Sequence, residues 1–392
     1  MRKLILADDE FTTRELERIG VDPDAYGLFL KKSNHRVFKF GNISCAQAHV
    51  LKQTALVCGA DVAIPKHAYQ GGKKRNFCAI LFANLREIEK MIKRLEEQPW
   101  MRPISDELSA VLFDKAPPTL KIGKEEIKFD RTYVMGVINV TPDSFYSGSR
   151  YTTNEVLERV AKEMVEEGAD FVDIGAESTQ PGIEPIDEEE EIRRLEAVLP
   201  TLARNLNIPI SVDTYKSKVA AYAIDQGASI INDISGLGFD KRMAKLVAKN
   251  KVGVVIMHIK GTPKTMQLNP TYDDLMGEIH NYLHDRIDFA LQSGINRESI
   301  MIDPGLGFGK GLEDNYEIIR RLNELTLLGR PIVVGHSRKS FIGGPFKLAP
   351  EQRLEGTLGV EALLIANGAS VVRVHDVQEA KRVAMLIDRI SR

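Results

Sequence analysis

The sequence predicts an α/β fold, a (β/α)8 barrel preceded by a small α+β domain, and three observations carry that expectation. From Thr119 onward, eight short, apolar, mostly β-branched segments recur, each followed by a segment with helical periodicity. Parallel strands buried on both faces read this way. The segments end on polar side chains although their bodies are apolar, as at the C-terminal rim of a barrel, where the loops carry the site. Finally, 392 residues with 43% hydrophobic and 28% charged side chains describe a soluble globular chain longer than one ordinary domain.

Taken in order, residues 1–118 form the first domain. Val37–Phe40 is expected as a strand and Ala46–Val57 as a helix. Asp61–Ile64 and Cys78–Phe82 are expected as strands around a basic turn at 70–75, and Leu85–Glu97 as an amphipathic helix. Gln98-Pro99, Arg102-Pro103 and Pro117-Pro118 mark a connecting region, because proline punctuates regular structure.

The barrel is expected over 119–392. Leu120–Ile122 and Ile127–Phe129, flanking Gly123–Glu126, read as a hairpin closing its bottom. The eight strands are Tyr133–Val140, Phe171–Gly175, Ile208–Val212, Ser229–Asn232, Val252–Met257, Ser299–Ile302, Pro331–Gly335 and Ser370–Val374. Among the helices are Asn154–Glu167, Glu188–Ala203 with an acidic opening suited to a helix N-terminus, Asp314–Leu327 and Val377–Ile390. The competing architecture, a doubly wound open sheet, typically has fewer strands and a glycine fingerprint after the first, which this sequence lacks.

The bulk properties exclude several function classes. A net charge of −2 gives no reason to expect nucleic acid or a membrane surface as partner. Cys45, Cys58 and Cys78 show neither C-x-x-C nor metal spacing and read as reduced thiols. The apolar run near Met1 is ended by Asp8, Asp9 and Glu10, too early for a signal peptide. No stretch reaches the roughly 20 apolar residues of a membrane span. A cytoplasmic protein is expected.

The strand ends supply the chemistry. Strand 1 delivers Asn139, Thr141, Asp143 and Phe145; strand 2 delivers Asp173, Glu177 and Thr179, ahead of Pro181. Asp213 and Lys216 follow strand 3, Asn232 and Asp233 strand 4, and Met257, His258 and Lys260 strand 5. Asp303, Phe308 and Lys310 follow strand 6, His336 to Lys339 strand 7, and Arg373, His375 and Asp376 strand 8. Any one of these could cap a helix, but capping does not require acids, amides, lysine, arginine and histidine on one rim. Asp213, Asn232, Asp303 and Lys339 suit a flat heterocycle with an amide-and-amine edge. Asn139, Thr179, Arg373 and His375 suit a charged phosphate group, and the Asn139 oxygen could also touch a metal.

Rival motifs are weaker. His258, His336 and His375 lack zinc spacing, and there is no G-x-S-x-G elbow. Gly305–Gly309 lacks Walker spacing and reads as turn glycines. Gly71-Gly72-Lys73-Lys74-Arg75 reads as a solvated hairpin tip rather than an anion site.

The barrel resembles the dihydropteroate synthases, folate-pathway enzymes of the pterin-binding TIM-barrel family. The motifs are MGVINVTPDSF (Met135–Phe145), DIGAESTQPG (Asp173–Gly182), SVDTYK (Ser211–Lys216), INDISG (Ile231–Gly236), MHIKGTP (Met257–Pro263), DPGLGFGK (Asp303–Lys310), GHSRKSFIG (Gly335–Gly343) and RVHDV (Arg373–Val377). The resemblance implies a transferase, a sulfonamide target, that joins p-aminobenzoate to 6-hydroxymethyl-7,8-dihydropterin diphosphate with release of pyrophosphate. It implies that Asp213, Asn232, Met257, Asp303, Phe308 and Lys339 hold the pterin. Asn139, Thr179, Arg373 and His375 would hold the diphosphate, with Mg²⁺ beside Asn139. Phe145, Pro181, Phe308, Lys339 and Ser340 would surround p-aminobenzoate. Asp213, Lys339, Asn139, Arg373 and His375 would carry catalysis, in a homodimer formed through barrel helices.

Three positions depart from the family pattern. Gln180 stands where ESTRPG has arginine, Ser147 where an aspartate is common, and His336 where a threonine or another small residue is usual. Arg338 and Lys339 are the cations available to stand in for the missing arginine. Residues 1–118 fall outside the resemblance. Two other functions compete: a methyltetrahydrofolate:corrinoid methyltransferase, which has no diphosphate to hold, and a catalytically silent pterin-binding subunit.

Overall fold

The computed structural model describes residues 4, 9–69, 76–113, 118–140, 153–179 and 182–391. The chain divides into two compact units, Met1–Ala116 and Pro117–Arg392.

In the first unit, helices α1 (Asp9–Arg18) and α2 (Tyr26–Ser33) precede β1 (His35–Ser44), α3 (Cys45–Cys58), β2 (Asp61–Ala63), β3 (Asn76–Asn84), α4 (Leu85–Glu96) and α5 (Arg102–Phe113). The sheet order is β1-β3-β2, all antiparallel pairs. Both strand-to-helix corners are capping boxes, Ser44 with Gln47 and Asn84 with Glu87, so the strand ends supply the caps that start α3 and α4. The proline-marked connecting region is not all linker. Arg102-Pro103 opens α5, and Met101, Ile104 and Leu108 join the unit's core, because proline is tolerated in a helix's first turn.

The second unit opens with the hairpin β4 (Thr119–Ile122) and β5 (Glu125–Lys128). Its turn is tighter than the sequence suggested, since Glu125 and Glu126 already pair with Ile122 and Lys121. The strands β6 (Tyr133–Asn139), β7 (Phe171–Gly175), β8 (Ile210–Asp213), β9 (Ile230–Asp233), β10 (Gly253–Met257), β11 (Ile300–Asp303), β12 (Val333–Gly335) and β13 (Val371–Val374) follow. They form one parallel sheet, with β13 paired to β6. A bridge between Ile302 and Ile332 joins β11 to the entry of β12, so the sheet closes into the (β/α)8 barrel.

The helices are α6 (Thr153–Glu166), α7 (Glu188–Glu196), α8 (Leu199–Asn205), α9 (Ser217–Asp225), α10 (Met243–Asn250), α11 (Leu275–Gln292), α12 (Leu312–Arg321), α13 (Ser340–Gly343), α14 (Leu354–Ala366) and α15 (Val377–Ser391). The expected single helix Glu188–Ala203 is two, because Pro200 sits in the first turn of α8 and its ring would clash with the carbonyl four residues earlier in a continuous helix. The expected Asp314–Leu327 helix is likewise α12 followed by a tighter 3-10 segment, Leu322–Leu328.

Side chains alternate along each strand, and the barrel interior follows that period. Met135, Phe171, Ile230, Val255, Met301, Val333 and Val371 form an apolar floor with Leu120, Ile122 and Phe129 of the hairpin region. Two residues further along six of these strands stand Asp173, Asn232, Met257, Asp303, Gly335 and Arg373. The interior therefore changes from apolar to polar within one step of the pleat.

Candidate active site

That polar layer forms one network. Arg373 lies on β13 and donates from Nε to Asp173 Oδ2 at 2.6 Å and from Nη2 to Asp213 Oδ2 at 3.0 Å. Asn232 Nδ2 donates to the same Asp173 oxygen at 3.2 Å. Asp173 Oδ1 and Ser211 Oγ, buried on adjacent strands, have no hydrogen-bond partner. Buried polar atoms rarely remain so, and these face an interior that a polar ligand can enter. Asp303 is buried and accepts from the Gly305 backbone at 2.6 Å. Gly305 has φ +68°, and a Cβ there would fall 2.1 Å from the His258 carbonyl, so no other residue fits this turn.

Lys339 follows β12 and reaches over the rim. Its Nζ donates to Leu306 O at 2.5 Å and lies 4.7 Å from the centre of the Phe308 ring, within cation–π range. Met257 packs with Phe308, Tyr215, Ile234, Ile259 and Met266 to make an apolar wall beside the polar layer. Burial drives the acids and the lysine in opposite directions. The Asp213 carboxyl is raised well above the carboxylate range by burial, against the pull of Arg373 and with a further push from Asp173. Asp303 is raised by burial, against its backbone bond to Gly305. The Lys339 ammonium is lowered to about 8 by burial, with Asp303 opposing. Each group titrates nearer neutrality than its free form.

The structure sorts the predicted residues by the pleat. Asn232 faces the interior, but its neighbour Asp233 accepts from Ser235 N, Ser235 Oγ and Leu237 N and caps the loop after β9. Met257 faces inward, while His258 is buried against Lys310, whose Nζ meets His258 Nδ1 at 2.9 Å and Phe308 O at 2.9 Å. Lys216 holds Glu191 at 2.6 Å, Glu177 at 3.2 Å and Ile186 O at 2.7 Å. Glu177 thus anchors its loop rather than projecting from it. Arg338 is locked to Asp376 by two bonds of 2.9 and 2.6 Å, so of the two neighbouring cations it is Lys339 that reaches the site.

Asn139 ends β6 with its side-chain oxygen beside Gly175. His375 Nδ1 lies 3.0 Å from Ser337 Oγ, and Ser340 opens α13 exposed to solvent. Thr179 lines a rim cavity of about 280 Å³ with Tyr215, Phe239 and Ile183. Phe145 and Pro181 lie outside the described residues, as do Thr141, Asp143, Ser147 and Gln180. Sequence reasoning gave Asp173 no role, although a carboxylate within the otherwise apolar run FVDIG was a signal. Nor did it single out Ser337.

The family model "Pterin binding enzyme" matches residues 135–375. A dihydropteroate synthase of Clostridium beijerinckii is 43% identical over 275 residues, covering 70% of this chain and 100% of that protein. A crystal structure of a dihydropteroate synthase from Clostridium difficile, in the presence of pteroic acid, superposes with a TM-score of 0.64 at 43% identity, covering 70% of this chain and 99% of that one. A Halobacterium salinarum protein called a probable bifunctional folylpolyglutamate synthase/dihydropteroate synthase is 36% identical over 375 residues, 94% of this chain and 45% of that protein. A match of that length includes most of residues 1–116.

Proposed function

The chain belongs to the pterin-binding enzyme family, and from that premise we propose how its residues carry the reaction. It condenses 6-hydroxymethyl-7,8-dihydropterin diphosphate with p-aminobenzoate to give 7,8-dihydropteroate and pyrophosphate, the dihydropteroate synthase reaction of folate biosynthesis. The observation that carries the residue assignment is the polar layer, in which three acids, an amide and two cations converge above an apolar floor.

In this reading Asp213, Asn232 and Asp303 accept and donate along the amide-and-amine edge of the pterin, with Met257 and Phe308 against its faces. Lys339 stands between pterin and amine. Asn139, Thr179, Arg373 and His375 hold the diphosphate. Phe145, Pro181, Phe308, Lys339 and Ser340 surround p-aminobenzoate. The displacement is dissociative: the C–O bond to the pterin CH2 breaks with its electron pair leaving on pyrophosphate, ahead of attack by the arylamine nitrogen, which forms the new C–N bond and then loses a proton to water. Arg373 and His375 stabilise the negative charge that develops on pyrophosphate. Asp213, as carboxylate, stabilises positive character in the pterin. The arylamine is already a neutral nucleophile near pH 7, so no strong base is required.

We propose Mg²⁺ as the metal, held chiefly by substrate oxygens. Among the described residues no group of three His, Cys, Asp or Glu could hold a metal. The ion would rest on the Asn139 oxygen and on diphosphate oxygens, the mixture it takes with phosphate substrates. When bound it neutralises leaving-group charge. We also propose a cytoplasmic homodimer. Cys45, Cys58 and Cys78 are free, and α14 and α15 expose Leu363, Met385, Leu386 and Ile390, an apolar surface suited to a second copy. A monomer in sedimentation refutes the dimer.

The test is pyrophosphate release by the purified chain with dihydropterin diphosphate, Mg²⁺ and p-aminobenzoate, each omitted in turn. Release that needs all three, with an equal amount of dihydropteroate, is expected. Pterin binding without release would favour the methyltransferase or the silent subunit.

A further inference from the structure

His336 and Glu361 are both fully buried, and their side chains face each other with Nε2 and Oε2 3.6 Å apart. Neither imidazole nitrogen and neither carboxyl oxygen has a hydrogen-bond partner among the described residues. Two titratable side chains without partners in an apolar wall are costly separately. As a hydrogen-bonded pair each would satisfy the other. The present gap is beyond hydrogen-bond length, but a small rotation of either side chain closes it.

The turn that holds His336 is under tension. Arg338 has φ +55°, a left-handed conformation that a bulky residue adopts only when its surroundings enforce it. Three tethers enforce it. Thr357 Oγ1 accepts from Arg338 N at 3.0 Å, Arg353 Nη1 donates to Arg338 O at 2.8 Å, and the Arg338 guanidinium is bound to Asp376. Thr357 and Glu361 are four residues apart and both buried on α14, so they lie one above the other on one helix face. One fixes the middle of the turn, and the other faces its first residue. Beyond the turn, Ser337 meets His375 and Lys339 reaches Leu306 and Phe308.

We propose that His336 and Glu361 act as one hydrogen-bonded pair that clamps the turn after β12 to α14 and thereby positions Lys339 and Ser337. Both are positioning residues, since neither touches substrate. The proposal rests on the synthase reading, because its effect is read in that reaction.

The test is a double-mutant cycle of Glu361→Ala, His336→Ala and the pair, measuring Tm and, below the unfolding range, kcat and both KM values. Each single variant is expected to lower kcat/KM for dihydropterin diphosphate about tenfold, and the double variant no further than the worse single, because coupled residues are non-additive. Glu361→Gln, which keeps shape and one hydrogen bond, should recover most of the loss. If an alanine variant does not fold, Glu361→Leu and His336→Leu, which fill the space but cannot hydrogen-bond, complete the cycle with the same readouts. Additive effects overturn the pair. A lower Tm with kcat and KM unmoved overturns its positioning role. Wild-type turnover is the control, so absence of turnover there would instead remove the synthase reading.

Discussion

Asp213 and Arg373 meet at 3.0 Å across the barrel, and the same guanidinium reaches Asp173 at 2.6 Å. The cation read from the sequence as a diphosphate ligand thus bonds Asp213, an acid assigned to the pterin, and Asp173, to which sequence reading assigned no role. In the proposed reading, a pterin N–H that binds Asp213 would compete with Arg373 for the same carboxylate.

Arg373→Ala is therefore expected to weaken pterin binding as well as diphosphate binding. It leaves two buried carboxyls uncompensated, and the Asp213 carboxyl rises further once its opposing cation is gone. A loss of about a hundredfold in kcat/KM follows from removing a charge-stabilising donor. Calorimetric titration with pterin alone and with diphosphate alone checks it. A defect confined to diphosphate would show that Arg373 does not support the acids. Arg373→Lys should rescue poorly, because one ammonium cannot replace a two-pronged contact.

Lys339→Ala should reduce turnover at least about a hundredfold while circular dichroism and Tm stay near wild type. The pH profile carries a sign that can be worked out. Burial lowers Lys339 to about 8, so its charge is present below that pH and lost as pH rises through it. Burial raises Asp213, so its carboxylate is lost on the acid side at a higher pH than for a free aspartate. The plot of kcat/KM is expected to be a narrow bell with its alkaline limb near 8, a limb that should move upward in Lys339→Arg. A flat profile from pH 6 to 9 would contradict both assignments.

Lys216→Met should destabilise the barrel by about 3–5 kcal/mol, the usual result of removing one member of a buried ion cluster. It would strand Glu191, already raised by burial, beside Glu177, and it would release the loop that Glu177 holds through Ile186. Urea unfolding measures the first effect. Limited proteolysis of residues 177–187 measures the second and should be faster in the variant.

Deletion of residues 1–116 should leave turnover of the same order. The relative from Clostridium beijerinckii is matched over its whole length by 70% of this chain, and the second unit has its own floor, wall and polar layer. Steady-state kinetics of 117–392 check this, and a loss beyond tenfold would give the first unit a part in catalysis.

Much of this was legible in the chain, because the signals are local. Apolar β-branched runs located all eight barrel strands to within two residues, and the order of motifs located the family. Asp213 and Asp303, which sequence reading placed just after their strands, in fact end them, and Asn232 stands one residue before the end of its own. They point inward because they stand an even number of pleats beyond the apolar floor. The same parity turns Asp233, His258 and His336 outward, toward roles in loops and helices.

The sequence by itself determined the fold class, through the spacing of its apolar runs, and pointed to the reaction through the resemblance that its ordered motifs carry. Tertiary structure alone decided the partners. Arg373 lies 200 positions from Asp173 and 160 from Asp213 along the chain, and only closure of the barrel brings strand eight beside strand one and across from strands two and three. His336 faces Glu361 because α14 packs its buried face on the barrel wall. Such pairings follow from where the chain returns in space, and no periodicity in the sequence records that.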